Sequence, residues 1–513
     1  MRAIKSSKTA PTFSAASVLL CGALLALCSA VAVYLFYRRG WNLYYGDAEC
    51  HLDIARRMVD SQTPGYRQVG TVWLPLTHWI LLPFVRFDSL WFSGLAGALP
   101  FAFCYVVGGC FLFAATRRVF ESTSAAVVAV AVCALNPNLL YIQTAPMTET
   151  LFFACLAALF YFTVRYRDTQ AWWAAIGAGL ALLLATLTRY DGWFLIPFVG
   201  LYFLVTAQRG RWTVAIVVCC IASLGPAYWL LHNQAMAGDA LDFYRGPYSA
   251  KAIQGSANYP GKGYWPRAFQ FFFWDVWDCA GAALAVLAAL GMVAAFARRA
   301  FWALVLLWLP GVFYLLSMHS GGTPIFVPHL YSGAYYNVRY GLSILPLLAV
   351  CAGALVAQFP WYWRTRAAVG VVVLCSLPWL IHPQPESWVV YQEGNQNYRG
   401  HREVEHAVED YLRPRYVHGA GIVTSFGATT VIYRELGIPL RETLTSDNGP
   451  VWWAEEKAQD PFPHYAWAVV RAGDWAEKQI QTVGNFTLEQ TFQAKDAPEI
   501  HVYRRKGGGN GSA

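Results

Sequence analysis

A carboxylate at the end of an apolar segment is costly beside a bilayer unless it is paired or used, so such acids come first. In GDAECHLDIARRMVDSQTPG, residues 46–65, Asp47 and His51 lie one helical turn apart. An acid there can cap a helix, and beside a membrane it can equally serve as a general base or a metal ligand. His51 taken alone is more readily a packing or hydrogen-bonding residue. Glu149 stands where the apolar run from Thr150 begins. It can cap that helix from its first turn, or position a second reactant. In TRYDGWFLIP, residues 188–197, Arg189 and Asp191 suit a local ion pair that fixes the turn, or a site for an anion. Arg339 and Tyr340 close an aromatic stretch that includes Tyr336 and precede an LP-containing apolar run. An Arg there can snorkel to the interface, and its planar fork can also grip a phosphate with two parallel hydrogen bonds.

The elements that hold these residues must be membrane helices. The 513 residues are 57% hydrophobic and 13% charged, and mean hydropathy is +0.35. A soluble chain of this length would expose far more charge. Up to residue 382 there are 25 Lys and Arg against 13 Asp and Glu, a net +12; the remainder has 13 against 17, a net −4. The shift divides a membrane domain, 1–383, from a soluble domain, 384–506, with a disordered tail at 507–513. The net charge of +8 is a membrane-protein balance, and no nucleic-acid partner is expected. The twelve Cys show no metal or redox spacing.

Apolar runs fall near 13–37, 89–115, 124–141, 150–164, 171–188, 193–207, 212–231, 279–297, 301–318, 340–357 and 367–382. That is about eleven transmembrane helices, the first an anchor rather than a cleaved leader. Arg2, Lys5 and Lys8, then Arg117/Arg118, Arg165/Arg167, Arg209/Arg211, Arg298/Arg299 and Arg364/Arg366, mark every second turn and place the N-terminus in the cytoplasm. The candidate acids and the soluble domain then lie outside. Residues 46–65 read as an amphipathic helix on the membrane surface, stopped by Thr63-Pro64-Gly65. The long loop 232–278 interleaves aromatics and cations, suited to a sugar or an anionic lipid.

An acid opening a juxtamembrane helix that continues IARRM, then WLPLTHW at 73–79, resembles the GT-C glycosyltransferases, closest to the lipid A aminoarabinose transferase and protein O-mannosyltransferase group. The resemblance implies a polytopic α-helical membrane enzyme with juxtamembrane helices and a C-terminal extracytoplasmic α/β domain. It implies transfer of a hexose or pentose from a polyprenyl-phosphate carrier to a lipid, glycan or protein of the cell envelope, with inversion, at the outer face of the inner membrane. Asp47 matches the family's catalytic acid and Glu149 its second acid. Arg339, Tyr340 and Arg189 are the expected phosphate-holding set, with Glu49, His51, Asp191 and Tyr336 beside them. If a divalent ion (Mg, Mn or Zn) takes part, Asp47 and Glu149 are its expected ligands.

In the soluble part, 421–426 and 465–471 read as buried strands, and 401–412, 428–437 and 474–483 as helices. FTLEQTFQ and EIHVYRR suggest a closing strand pair. The competing readings are a ligase or polymerase moving glycans from a diphosphate carrier, and a transporter. No internal repeat of the transporter kind is visible.

Overall fold

The computed structural model describes residues 15–254, 257–382, 387–425 and 429–507. Arg2, Lys5 and Lys8, the 383/384 boundary and residues 508–513 of the expected tail lie outside them. Each of the eleven apolar runs coincides with a helix: Ala15–Arg38, Leu95–Phe120, Thr123–Ala134, Thr148–Thr169, Trp172–Thr186, Tyr190–Thr206, Arg211–Ala237, Ala282–Ala297, Phe301–Ser320, Leu345–Gln358 and Arg364–Ile381. Seven are long and apolar enough to cross a bilayer unaided, with Leu345–Gln358 counted from the 3₁₀ turn at Val338. Ala282–Ala297 follows Trp265–Ala280 across a 108° bend. Gly281, at φ +82°, makes that bend, in a conformation that L side chains rarely adopt. Trp265–Ala280 is amphipathic, exposing Trp265, Phe269 and Phe273 while burying Phe271, Phe272 and Asp275.

Burial ranks the spans. Only 17% of the apolar window is buried in Ala15–Arg38 and in Arg364–Ile381, which face lipid. In Thr148–Thr169 and Val338–Gln358 the share is 78%. These two central spans begin with Glu149 and Arg339, so both charges enter the most enclosed part of the bundle. Small residues allow the close packing, as is usual between membrane helices. At Gly291 an added Cβ would fall 1.8 Å from the Cys351 carbonyl oxygen. The basic turns also converge: Arg118 pairs with Asp168 at 2.5 Å, and Arg167 lies 3.5 Å over the Trp302 ring.

The surface helix occupies Gly46–Arg57 and does not cross. Its polar side faces neither water nor lipid headgroups, because the C-terminal domain covers it. Glu49, His51, Asp53, Arg56 and Arg57 are all buried. Glu49 receives Arg434 at 2.7 Å, Arg57 reaches Asp447 at 2.7 Å, and Asp60, just beyond the helix, takes Arg441 at 3.0 Å. The charged stripe that suggested a membrane-surface helix is a docking face for a domain almost 400 residues away in the chain.

That domain has one five-stranded sheet in the order β2-β1-β3-β5-β4, with β1 Ile422–Thr424, β2 Thr443–Leu444, β3 Trp467–Arg471, β4 Phe486–Phe492 and β5 Ile500–Arg505. β1 runs parallel to β2 and β3, whereas β5 is antiparallel to both β3 and β4. Helices Arg399–Leu412, Thr430–Leu436 and Trp475–Val483 match the sequence pattern. The linker helix Val389–Asn397, the helix Gly449–Glu456 and the two-residue β2 were not foreseen.

Gly291→Val should leave insertion intact but lower the thermal midpoint in detergent, since overpacking costs roughly 1–3 kcal/mol. The docking face should respond to pH. Burial pushes Asp53 up to about 7 and Glu405 up to about 8, with Glu49 adding to both. Folded values above the unfolded ones mean that the folded state holds more protons, so stability falls as pH rises from about 4 to 8. Asp53→Asn should therefore raise the midpoint at pH 8 and change it little at pH 4.

Candidate active site

Asp47 is not the N-cap of its helix. Tyr45 occupies that position in extended conformation and no side chain caps the turn. The Asp47 carboxylate instead accepts from Arg339 Nη2 at 2.9 Å, and its side chain keeps 36% exposure. Glu149 likewise does not cap Thr148–Thr169, whose N-cap is Met147. It lies 3.0 Å from Arg189 Nη1 and 3.2 Å from Arg339 Nε. Its Oε2 has no hydrogen-bond partner among the described residues, and a buried acceptor left open in this way is a candidate contact for a ligand.

Arg189 does pair locally with Asp191, at 3.3 Å, as its spacing allows. It also donates to Thr148, Glu149 and the Tyr314 hydroxyl. Tyr314 in turn donates to Asp191 at 3.2 Å and stacks on Tyr340 with ring centroids 4.6 Å apart. The Tyr340 ring lies between both guanidinium groups, 5.1 Å from Arg189 and 5.0 Å from Arg339. Cations held over a ring face gain from its quadrupole, so this tyrosine helps keep two like charges close together.

Arg339 has a third carboxylate. Glu393, from the linker helix Val389–Asn397, receives Nη1 at 2.5 Å. Glu393 also accepts the backbone N–H of Asn337 at 2.8 Å and of Arg339 at 3.3 Å. The Tyr45 hydroxyl donates to it at 3.1 Å and to the Val390 carbonyl at 2.6 Å. Burial raises the Glu393 carboxyl and the Arg339 charge opposes the rise. Asn337 sits at φ +57°, a left-handed conformation that Asn tolerates, so Glu393 also fixes a special turn just before the arginine. Nothing in VVYQEGNQN singles out this acid, because a glutamate in a soluble segment carries no energetic oddity.

The network opens into a cavity of about 490 Å³, lined by Asp47, His51, Glu149, Arg189, Asp191, Arg339 and Tyr340 together with Trp73, Tyr314, Tyr244 and Lys251. The last two come from the loop whose aromatics and cations suggested a sugar or lipid contact. A recess of about 30 Å³ adjoins the same charged residues and is walled by Phe152, Phe153, Leu156, Leu342 and Pro346. Two expected residues stand apart. Glu49 turns to Arg434 at the docking face, and Tyr336 pairs backbone to backbone with Phe326 and does not line the cavity. No group of three or more His, Cys, Asp or Glu among the described residues is arranged to hold a metal ion. An arginine, rather than an open position, lies between Asp47 and Glu149.

Residues 74–229, which include Glu149, Arg189 and Asp191, match the family model described as dolichyl-phosphate-mannose-protein mannosyltransferase. No protein of curated function matches the sequence. The fold is of the GT-C type, similar to that of ArnT from Cupriavidus metallidurans. The structure of ArnT bound to undecaprenyl phosphate matches with a TM-score of 0.62 at 14% identity, covering 96% of this chain and 99% of that one. The apo structure of ArnT matches at 0.58 and 13%, covering 95% and 98%.

Glu393→Ala would leave Arg339 short of a buried partner, a change that typically costs about 3–5 kcal/mol. A clear fall in thermal midpoint is expected, with a smaller fall for Glu393→Gln, which retains one oxygen for the Asn337 amide but loses the one that accepts from the Arg339 amide. Equal midpoints for both variants and the wild type would show that the pair holds nothing together.

Proposed function

We propose that the chain transfers a sugar from a polyprenyl-phosphate carrier to a lipid, glycan or protein acceptor at the outer face of the membrane, with inversion at the sugar carbon. The observation that carries this reading is Asp47 and Glu149 bridged by Arg339 at the mouth of the two most buried spans, facing a cavity. The relatives lend support. One matching family is described by a dolichyl-phosphate sugar, and one ArnT structure holds undecaprenyl phosphate. The basic residues of five turns support an orientation with the N-terminus inside, and contacts among three of those turns agree with their lying on one side.

In this reading the leaving phosphate binds Arg339 and Arg189. The two guanidinium groups stabilise the charge that develops as the bond to the sugar breaks. Four carboxylates already share these two arginines: Asp47, Glu149, Asp191 and Glu393. An arriving phosphate must therefore displace one of them from Arg339. Asp47 is the natural one to yield, since it is a third exposed while Glu149 and Glu393 are enclosed. Release from the guanidinium frees the Asp47 carboxylate oxygen to accept the proton of the acceptor hydroxyl. Donor binding thus arms the base.

Purified protein should release free polyprenyl phosphate from a matching polyprenyl-phosphate sugar when supplied with cell-envelope extract. Asp47→Asn should slow release by about 10²-fold or more, as expected for loss of a general base. Release only from diphosphate-linked glycans would replace this reading with that of a ligase or polymerase.

A further inference from the structure

One part of the cavity wall takes no part in the ion-pair network. His51 and Trp73 lie there with ring centroids 4.5 Å apart. His51 Nδ1 is 3.0 Å from Nε2 of His78, a residue with no exposed surface on the adjoining helix Leu76–Val85. The other nitrogen of His78, Nδ1, has no partner among the described residues.

These contacts fix where the protons are. Burial, reinforced by the charges of Arg339 and Arg189, pushes His51 down to about 3, and burial also holds His78 well below its usual value. Both rings are therefore neutral at physiological pH, and each carries one N–H. If His51 donated to His78, the only N–H of His78 would sit on its orphaned Nδ1. Folded proteins rarely leave a buried donor unpaired, whereas an unused lone pair is tolerated better. His78 Nε2–H must then donate to His51 Nδ1. The proton of His51 is thereby placed on Nε2, the nitrogen left for the cavity.

The cavity thus presents a neutral, fixed N–H donor beside an indole ring, one helical turn from Asp47. An anion would be drawn to the two arginines instead. A sugar fits the pair: its hydroxyl oxygens accept the hydrogen bond and its C–H face lies against the indole. We propose that Trp73 and His51 form a carbohydrate subsite, and that His78 is a positioning residue that sets the His51 tautomer. This rests on the glycosyl-transfer reading above. The sugar bound is either that of the donor or one on the acceptor, and the same chemistry serves both.

The test uses full-length protein in nanodiscs and two probes, undecaprenyl phosphate and undecaprenyl-phosphate-linked hexose. If the donor sugar occupies the subsite, wild type binds the glycosylated lipid more tightly than the bare one. His51→Ala and Trp73→Ala then weaken glycosylated-lipid binding by about tenfold, the worth of one hydrogen bond, with bare-lipid affinity unchanged. If an acceptor sugar occupies it, both lipids bind as before and the acceptor KM rises by a similar factor. Either pattern supports the subsite. Equal weakening toward both lipids would show a structural role only, and no change in lipid selectivity or acceptor KM would remove the subsite altogether. The positioning role has its own readout: ¹⁵N chemical shifts of the wild type should show His51 protonated at Nε2, and His78→Leu should mix the two tautomers. Protonation at Nδ1 in the wild type would overturn the assignment. Sugar-dependent binding that persists in Asp47→Asn while release is lost keeps this inference separate from the identity of the base.

Discussion

A guanidinium held away from water must be surrounded by acceptors or it destabilises the fold, and Arg339 meets that demand from three distant places. Asp47 reaches it from the first surface helix, Glu149 from the head of a central span, and Glu393 from the linker beyond the last span. Arg189 repeats the pattern one layer over, with Glu149 as the shared carboxylate. The tyrosines serve the same end, since Tyr45 braces Glu393, while Tyr340 lies between the two cations. Remove Arg339 and its three carboxylates lose the cation they share, so the bundle, the linker helix and the surface helix are all arranged around that one charge.

The constraint explains what could be read from the chain. Asp47, Glu149, Arg189, Asp191, Arg339 and Tyr340 stood out because each sits at the end of an apolar run, where a polar group costs most. The structure brings all six to one cavity. The apolar runs themselves were legible because lipid demands about twenty consecutive apolar residues, with little room for ambiguity. The 108° bend at Gly281 falls where the sequence divides loop 232–278 from the run at 279–297, but the helix Trp265–Ala280 lies inside what reads as loop.

Other features were hidden because they depend on partners far along the chain. The charged stripe of Gly46–Arg57 has the amphipathic pattern of a helix on a membrane, and only Arg434, Arg441 and Asp447 reveal it as an internal face. Glu49 looked like a site residue by proximity to Asp47, yet a residue two positions along a helix points to another side. Glu393 gave no sign at all. His78 was one residue of an apolar segment until its contact with His51 gave it a role.

The linkage of residues 47, 339 and 393 also bears on how the protein is made. The contacts that complete the centre span 292 and 54 positions of sequence. During synthesis the first surface helix, with its acid, emerges long before the arginine that will hold it, and the last carboxylate follows only after Arg364–Ile381 has been threaded. A nascent chain paused before residue 393 therefore lacks the finished centre, whichever of its helices are already in the membrane.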